Sequence, residues 1–78
     1  MLADIFRREE QDGKFSHLVV PQGRNIPQEA TNWDWHDEAR AKELDEAAAS
    51  WPEYGIEAPG EQLRKKGYAI TSVKEMTG

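Results

Sequence analysis

Asp12-Gly13 stands between two apolar runs, residues 2–9 (LADIFRRE) and 15–20 (FSHLVV). Both turn positions of an Asp-Gly pair tolerate positive φ, and between apolar runs the pair is the strongest short-range sign of a β-hairpin. Two registers fit. A two-residue loop at Asp12-Gly13 sets Ile5 opposite Val20 and Arg7 opposite Leu18. A three-residue loop with Gly13 in a bulge sets Glu10 opposite Lys14 and Phe6 opposite Leu18. A slip of one residue exchanges the faces, so the register decides which side is core. The first is preferred, because it gathers Ala3, Ile5, Leu18 and Val20 on one face. It leaves Phe6, Phe15 and Val19 on the other, so that second face calls for cover by a loop or a second subunit.

Residues 21–31 (PQGRNIPQEAT) carry two prolines, a glycine and an asparagine and read as a loop. Ile26 precedes Pro27, is biased to extended conformation, and is expected to tuck in as an anchor. Thr31 or Asn32 then caps a first helix over residues 35–51. Asp34, Asp37 and Glu38 suit its positive end, and Glu38 with Lys42 makes an i,i+4 pair. Ala41, Leu44, Ala48 and Trp51 fall on one helical stripe, and Pro52 ends it. The alternative makes residues 33–41 a strand, through the alternation of Trp33, Trp35, Ala39 and Ala41. Asp37 at a would-be core position argues against it. Residues 57–67 (EAPGEQLRKKG) predict a second, short helix, with Pro59 in its first turn and Gly67 as its left-handed cap. Residues 68–73 (YAITSV) form the last strand, and the tail KEMTG is expected to fray. The expected fold is α+β: a β-β-α-α-β domain over residues 1–78. Its hairpin and last strand form a three-stranded sheet with the helices on one face, the last strand beside the first.

Residues 33–57 hold all three tryptophans and eight carboxylates against two cations. Tryptophan carries the largest apolar surface of any side chain, so its place in so acidic a stretch needs a reason. On a helix Trp33 and Trp35 point about 160° apart, so both cannot face the core. Trp35 and Trp51 are assigned inward. Trp33, together with Tyr54 across the Pro52 turn, is left without a folding role. Trp33, Trp35 and Tyr54 are therefore the candidate residues for contact with a partner protein.

The 78 residues bound the rest. A chain this short buries roughly 60 % of its unfolded surface, and without cysteine or a metal-ligand cluster nothing staples it. A homodimer sharing a core is a candidate assembly. The N-terminus reaches charge before any apolar signal region forms, and no stretch approaches a membrane span. The cytoplasm is the expected compartment. The net charge of −5 argues against a surface that attracts nucleic acid or anionic lipid as a whole. The charge is uneven, and Arg64, Lys65 and Lys66 beside Tyr68 form a candidate anion-binding patch for nucleic acid or a phosphorylated ligand.

Chemistry is sparsely provided. The chain lacks thiols, and His17 and His36 are its only imidazoles. His36-Asp37-Glu38 would diverge on a helix and reads as a solvated face. Serines 16, 50 and 72 lie in no motif. Gln22-Gly23-Arg24 is a turn rather than a phosphate loop. Neither an enzyme activity nor a cofactor is expected.

Three segments, residues 12–32 (DGKFSHLVVPQGRNIPQEATN), 51–56 (WPEYGI) and 66–73 (KGYAITSV), resemble a family of short proteobacterial proteins described as a domain of unknown function. The resemblance spans nearly the whole chain. Its most specific parts are the Val20-Pro21 to Ile26-Pro27-Gln28-Glu29-Ala30 loop and the Lys66 to Thr71 ending. It implies a stand-alone bacterial cytoplasmic protein and carries over no catalytic residue. The expected function is that of a protein-interaction or regulatory module, with an anion binder as the alternative.

Overall fold

A computed structural model of the protein describes residues 1–10, 13–24 and 35–71. β1 (Leu2–Glu9) and β2 (Phe15–Pro21) form the hairpin expected from Asp12-Gly13. The register is the three-residue one: Phe6 faces Leu18, Ile5 faces Val19, and the Glu10 amide donates to the Lys14 carbonyl at 2.7 Å. Gly13 has φ 73°, the left-handed conformation that this loop length asks of a glycine. The preferred two-residue register is thus corrected. It rested on gathering apolar residues on one face, and this sheet buries both. Ala3, Ile5 and Val19 lie in one core, and Phe6, Leu18 and Val20 in another.

The larger correction concerns residues 35–51, which form no helix. β3 (His36–Glu43) is a strand, antiparallel to β1 along its outer edge. Alanine propensity and one i,i+4 ion pair favour a helix by only a few tenths of a kcal/mol per residue. An unpaired edge of β1 offers a whole row of backbone partners instead. The weaker strand alternative over 33–41 is the one adopted where those residues are described. β3 is irregular. Ile5 faces Ala39 and Phe6 faces Asp37, so Glu38 is an extra residue; Arg40 and Ala41 together oppose Asp4. Asp4 explains the second bulge. Its buried carboxylate accepts the Ala41 amide at 3.0 Å and lies 3.4 Å from the Arg40 guanidinium, and Ala41 turns to φ 52°.

The chain next folds over the first face. β4 (Ser50–Trp51) and β5 (Ile56–Glu57) make a two-stranded ribbon around a 3-10 turn, Pro52–Tyr54, which Gly55 closes at φ 66°. Leu44, Trp51, Tyr54 and Ile56 bury against Ala3, Ile5, Val19 and Ala69. Three of the four residues of the expected helical stripe therefore do reach this core. Leu44 and Trp51 are buried in it and Ala48 packs against it, on a loop and a ribbon instead of a helix. The Trp51 indole donates to the Asp45 carbonyl at 3.0 Å, which satisfies its one polar atom.

α1 (Pro59–Lys66) is the short helix expected, with Pro59 in its first turn and Gly67 as a left-handed cap at φ 85°. Its first turn lies against the Glu46 carbonyl, 2.5 Å from where a Cβ on Gly60 would stand, so only glycine fits there. Gln62 ties the helix to its neighbours, accepting the Ile70 amide at 3.0 Å and donating to the Glu57 carbonyl at 2.7 Å. β6 (Ala69–Ile70) pairs with β2, not with β1 as expected, because β3 already occupies that side. The main sheet runs β3-β1-β2-β6. The architecture is α+β, with one α-helix instead of two and four strands in the main sheet instead of three among the described residues. The expected loop anchor Ile26, the fraying tail and Trp33 lie outside the described residues.

Candidate functional site

Of the three residues expected to meet a partner, the two that are described are not brought together. Trp33 is outside the described residues. Trp35 is half-buried at the head of β3, where it packs on the second core and the Arg8 guanidinium lies 5.3 Å over its ring. Tyr54 belongs to the first core, on the opposite face. Tyr54 thus has the folding role that the sequence left open: the 3-10 turn points its ring at the sheet. Its hydroxyl accepts a hydrogen bond from Lys42 Nζ at 2.7 Å, and that bond holds the Lys42 pKa above its ordinary value.

The candidate anion residues are similarly divided. Arg64 lines a cleft of about 470 Å³ with Glu46, Ala47, Gly60 and Leu63. Lys65 and Lys66 line another, of about 220 Å³, with Ala58, Glu61 and Gln62. Lys65 bonds Glu61 at 2.8 Å, which holds the Glu61 carboxyl below its usual range. Tyr68 is buried, with Lys66 Nζ 5.0 Å from its ring. The three cations occupy the last turn of α1, where they complement the negative end of its dipole.

What the fold does assemble is a group around His17, taken from three distant parts of the chain. Pairing sets His17 on β2 opposite Arg7 on β1, so both project from the first face. The bulge at Glu38 on β3 aims its carboxylate between them, 3.5 Å from Arg7 Nη1 and 3.9 Å from His17 Nε2. From the covering segment, the Tyr54 ring lies 5.1 Å from the imidazole. Thr71 closes the back. Its hydroxyl accepts the His17 amide and donates to the Tyr54 carbonyl, both at 2.7 Å, and its own amide donates to the His17 carbonyl at 3.0 Å. The His17 side chain is 14 % exposed, and its buried Nδ1 has no hydrogen-bond partner among the described residues. Burial pushes the imidazole pKa below 6.5, helped by Arg7 and opposed by Glu38 and Glu53.

His17 reads from sequence as a surface or boundary residue. Only the three-residue register places it beside Arg7, and nothing in sequence points to Glu38. On the other face Ser16 donates to Glu10 at 2.7 Å and Arg8 also bonds that carboxylate. Ser16 and His17 therefore look in opposite directions, which removes any Ser-His couple at this position. Among the described residues no three metal-ligating side chains come together, and no helix is long and apolar enough to cross a membrane.

The second feature is the sheet edge. Every residue of β3 is exposed except half-buried Ala39. Among the described strands it has β1 on one side and none on the other. Asp37, Glu38 and Glu43 stand along it, and Asp45 and Glu46 follow in the next turn.

These features define a small α+β domain with an acidic, irregular sheet edge and a polar cluster under its covering segment. Within that class the chain belongs to DUF6139, a family of unknown function whose model matches residues 1–77. No curated protein and no solved structure matches it.

Proposed function

We propose that the protein is a non-catalytic, cytoplasmic protein-interaction or regulatory module, and that β3 with its following turn is the surface that meets the partner. The observation that carries this is the eight-residue edge strand, exposed along its length. Its two bulges interrupt the backbone ladder, a common protection against indiscriminate strand pairing. Contact therefore goes through side chains, and their acidic balance suits a basic protein surface. Trp35 at the head of the strand supplies an aromatic group of the kind that anchors interfaces.

The test combines cross-linked capture from native lysate with the double reversal Asp37→Lys, Glu43→Lys; both side chains are well exposed, at 63 % and 76 %. A stoichiometric partner that is lost in the reversed protein, at unchanged thermal stability, supports the reading. Light scattering distinguishes a second copy of the chain from a different protein. A strictly monomeric mass with no partner, or a partner held equally by both proteins, sinks it. Binding of nucleic acid or a phosphorylated ligand through Arg64, Lys65, Lys66 and Tyr68 has less support, since the cations divide between two clefts and Tyr68 is buried. Salt-sensitive retention on heparin, lost on neutralising Lys65 and Lys66, would bring that reading forward.

A further inference from the structure

We infer that His17 is a proton-operated latch joining the covering segment, residues 44–57, to edge strand β3. The geometry supplies each part. The imidazole lies under Tyr54, which anchors the cover, and beside Glu38, which belongs to the edge strand. Thr71 fixes the His17 and Tyr54 backbones to each other, so a change at the ring is not absorbed by a sliding strand.

In the neutral form one ring nitrogen carries no proton, and an acceptor without a partner at Nδ1 is tolerable. A second proton makes both nitrogens donors and places a charge where solvent reaches poorly. The groups that face it decide the response. Arg7 from β1 repels the charge; Glu38 from β3 and Glu53 from the 3-10 turn attract it; the Tyr54 ring offers Nδ1 no acceptor. Lys42 is held away on the Tyr54 hydroxyl. Glu38 is shared with Arg7 in the neutral state, so protonation draws its carboxylate toward Nε2 and off Arg7. The new Nδ1–H also needs an acceptor that the buried site does not supply, which draws the ring toward solvent and shifts it against the Tyr54 ring that covers it. One proton thus disturbs the cover and the bulge of β3 together, whatever partner β3 meets.

The test is a pH titration from 7.5 to 4.5, following the His17 ring protons and the Trp51 indole N–H by NMR, and amide exchange at Thr71 and along β3. His36→Gln removes the other imidazole from the spectrum. His17 is expected to titrate below 6.5, and the Trp51 and β3 signals to move at the same midpoint. His17→Gln abolishes that shared transition. Glu38→Gln, an exposed-edge change that leaves both cores alone, lowers the His17 midpoint by removing the charge that favours the proton. Cover and β3 signals that stay flat while His17 titrates overturn the latch. So does a transition that survives in His17→Gln, or a midpoint unmoved in Glu38→Gln. The last result decides the matter even if His17→Gln fails to fold.

Discussion

β2 and β3 flank the same strand and are of nearly equal length, seven and eight residues, yet different forces hold them. β2 is sandwiched. Leu18 and Val20 fill one core and Val19 the other, and all three are buried almost completely. β3 buries no side chain fully. It is held by backbone pairing to β1 and by side-chain ties: Asp4 to Ala41 and Arg40, Lys42 to Tyr54, and Glu38 to Arg7. A strand fixed by burial can be moved only by unfolding the domain. A strand fixed by a few polar contacts can be loosened locally, which is what a binding or switching edge requires.

The difference is broken most severely from the β2 side. Leu18→Ala removes a side chain with no exposed surface, and a loss of about 2–5 kcal/mol is expected. Urea unfolding should show it as a lower midpoint at unchanged slope, with every amide of the sheet losing protection together. If β3 alone lost protection, the two strands would not be ordered as argued.

Asp4→Ala addresses β3. It removes the acceptor of the Ala41 amide and leaves a donor at the bulge without its partner, at a cost of about 1–3 kcal/mol. Hydrogen exchange should speed along residues 39–43 more than along β2. Equal acceleration in both strands would mean that Asp4 supports the whole sheet rather than its edge.

The same contrast explains how much of the molecule is legible in its sequence. The hairpin, α1 with its Pro59 start and Gly67 end, and the burial of Trp51 rest on local signals: turn chemistry, capping and apolar payload. The hairpin register is not local. Choosing it means knowing that both faces of the sheet are buried, and the cover for the first face comes from residues 44–57. β3 escapes for a related reason. Its sequence, HDEARAKE, has helix-forming composition and an alternation carried only by Ala39 and Ala41, because the structure asks it to bury no side chain fully. Besides that alternation, a sequence mark of its true place is Asp4, a carboxylate in the middle of an apolar strand that needs donors from elsewhere. The His17 group was hidden twice over, since it depends on the register and on the bulge at Glu38.

Stronger acid than the His17 transition requires should act at the turn end of the hairpin. Arg8 and then Ser16, by hydrogen bonding to the Glu10 carboxylate, hold its pKa below the ordinary 4.5. A carboxylate whose folded pKa is depressed binds fewer protons folded than unfolded, so its contribution is complete above 4.5 and is lost as pH falls through the lower folded value. Between pH 6 and 3.5 the wild type should therefore lose more stability than Glu10→Gln, by a modest margin because the site is partly open to solvent. Parallel loss in the two proteins would count against the pairing.

The smallest effect is also the most discriminating. Ala41 holds φ 52°, a conformation that costs an L-residue about 1–2 kcal/mol and glycine almost nothing. Glycine also gives the unfolded chain more freedom, which offsets about 0.5–1 kcal/mol of that relief. Ala41→Gly is therefore expected to be neutral or to stabilise by up to about 1.5 kcal/mol. Ala39→Gly, two residues earlier in ordinary extended backbone and packed on the first core, should instead cost about 1 kcal/mol. Opposite signs from one substitution so close together would show that β3 is bent into place by Asp4, against its local preference. A loss at both positions would show that the Ala41 methyl group contributes contacts, and that the strand is held more like β2 than its exposure indicates.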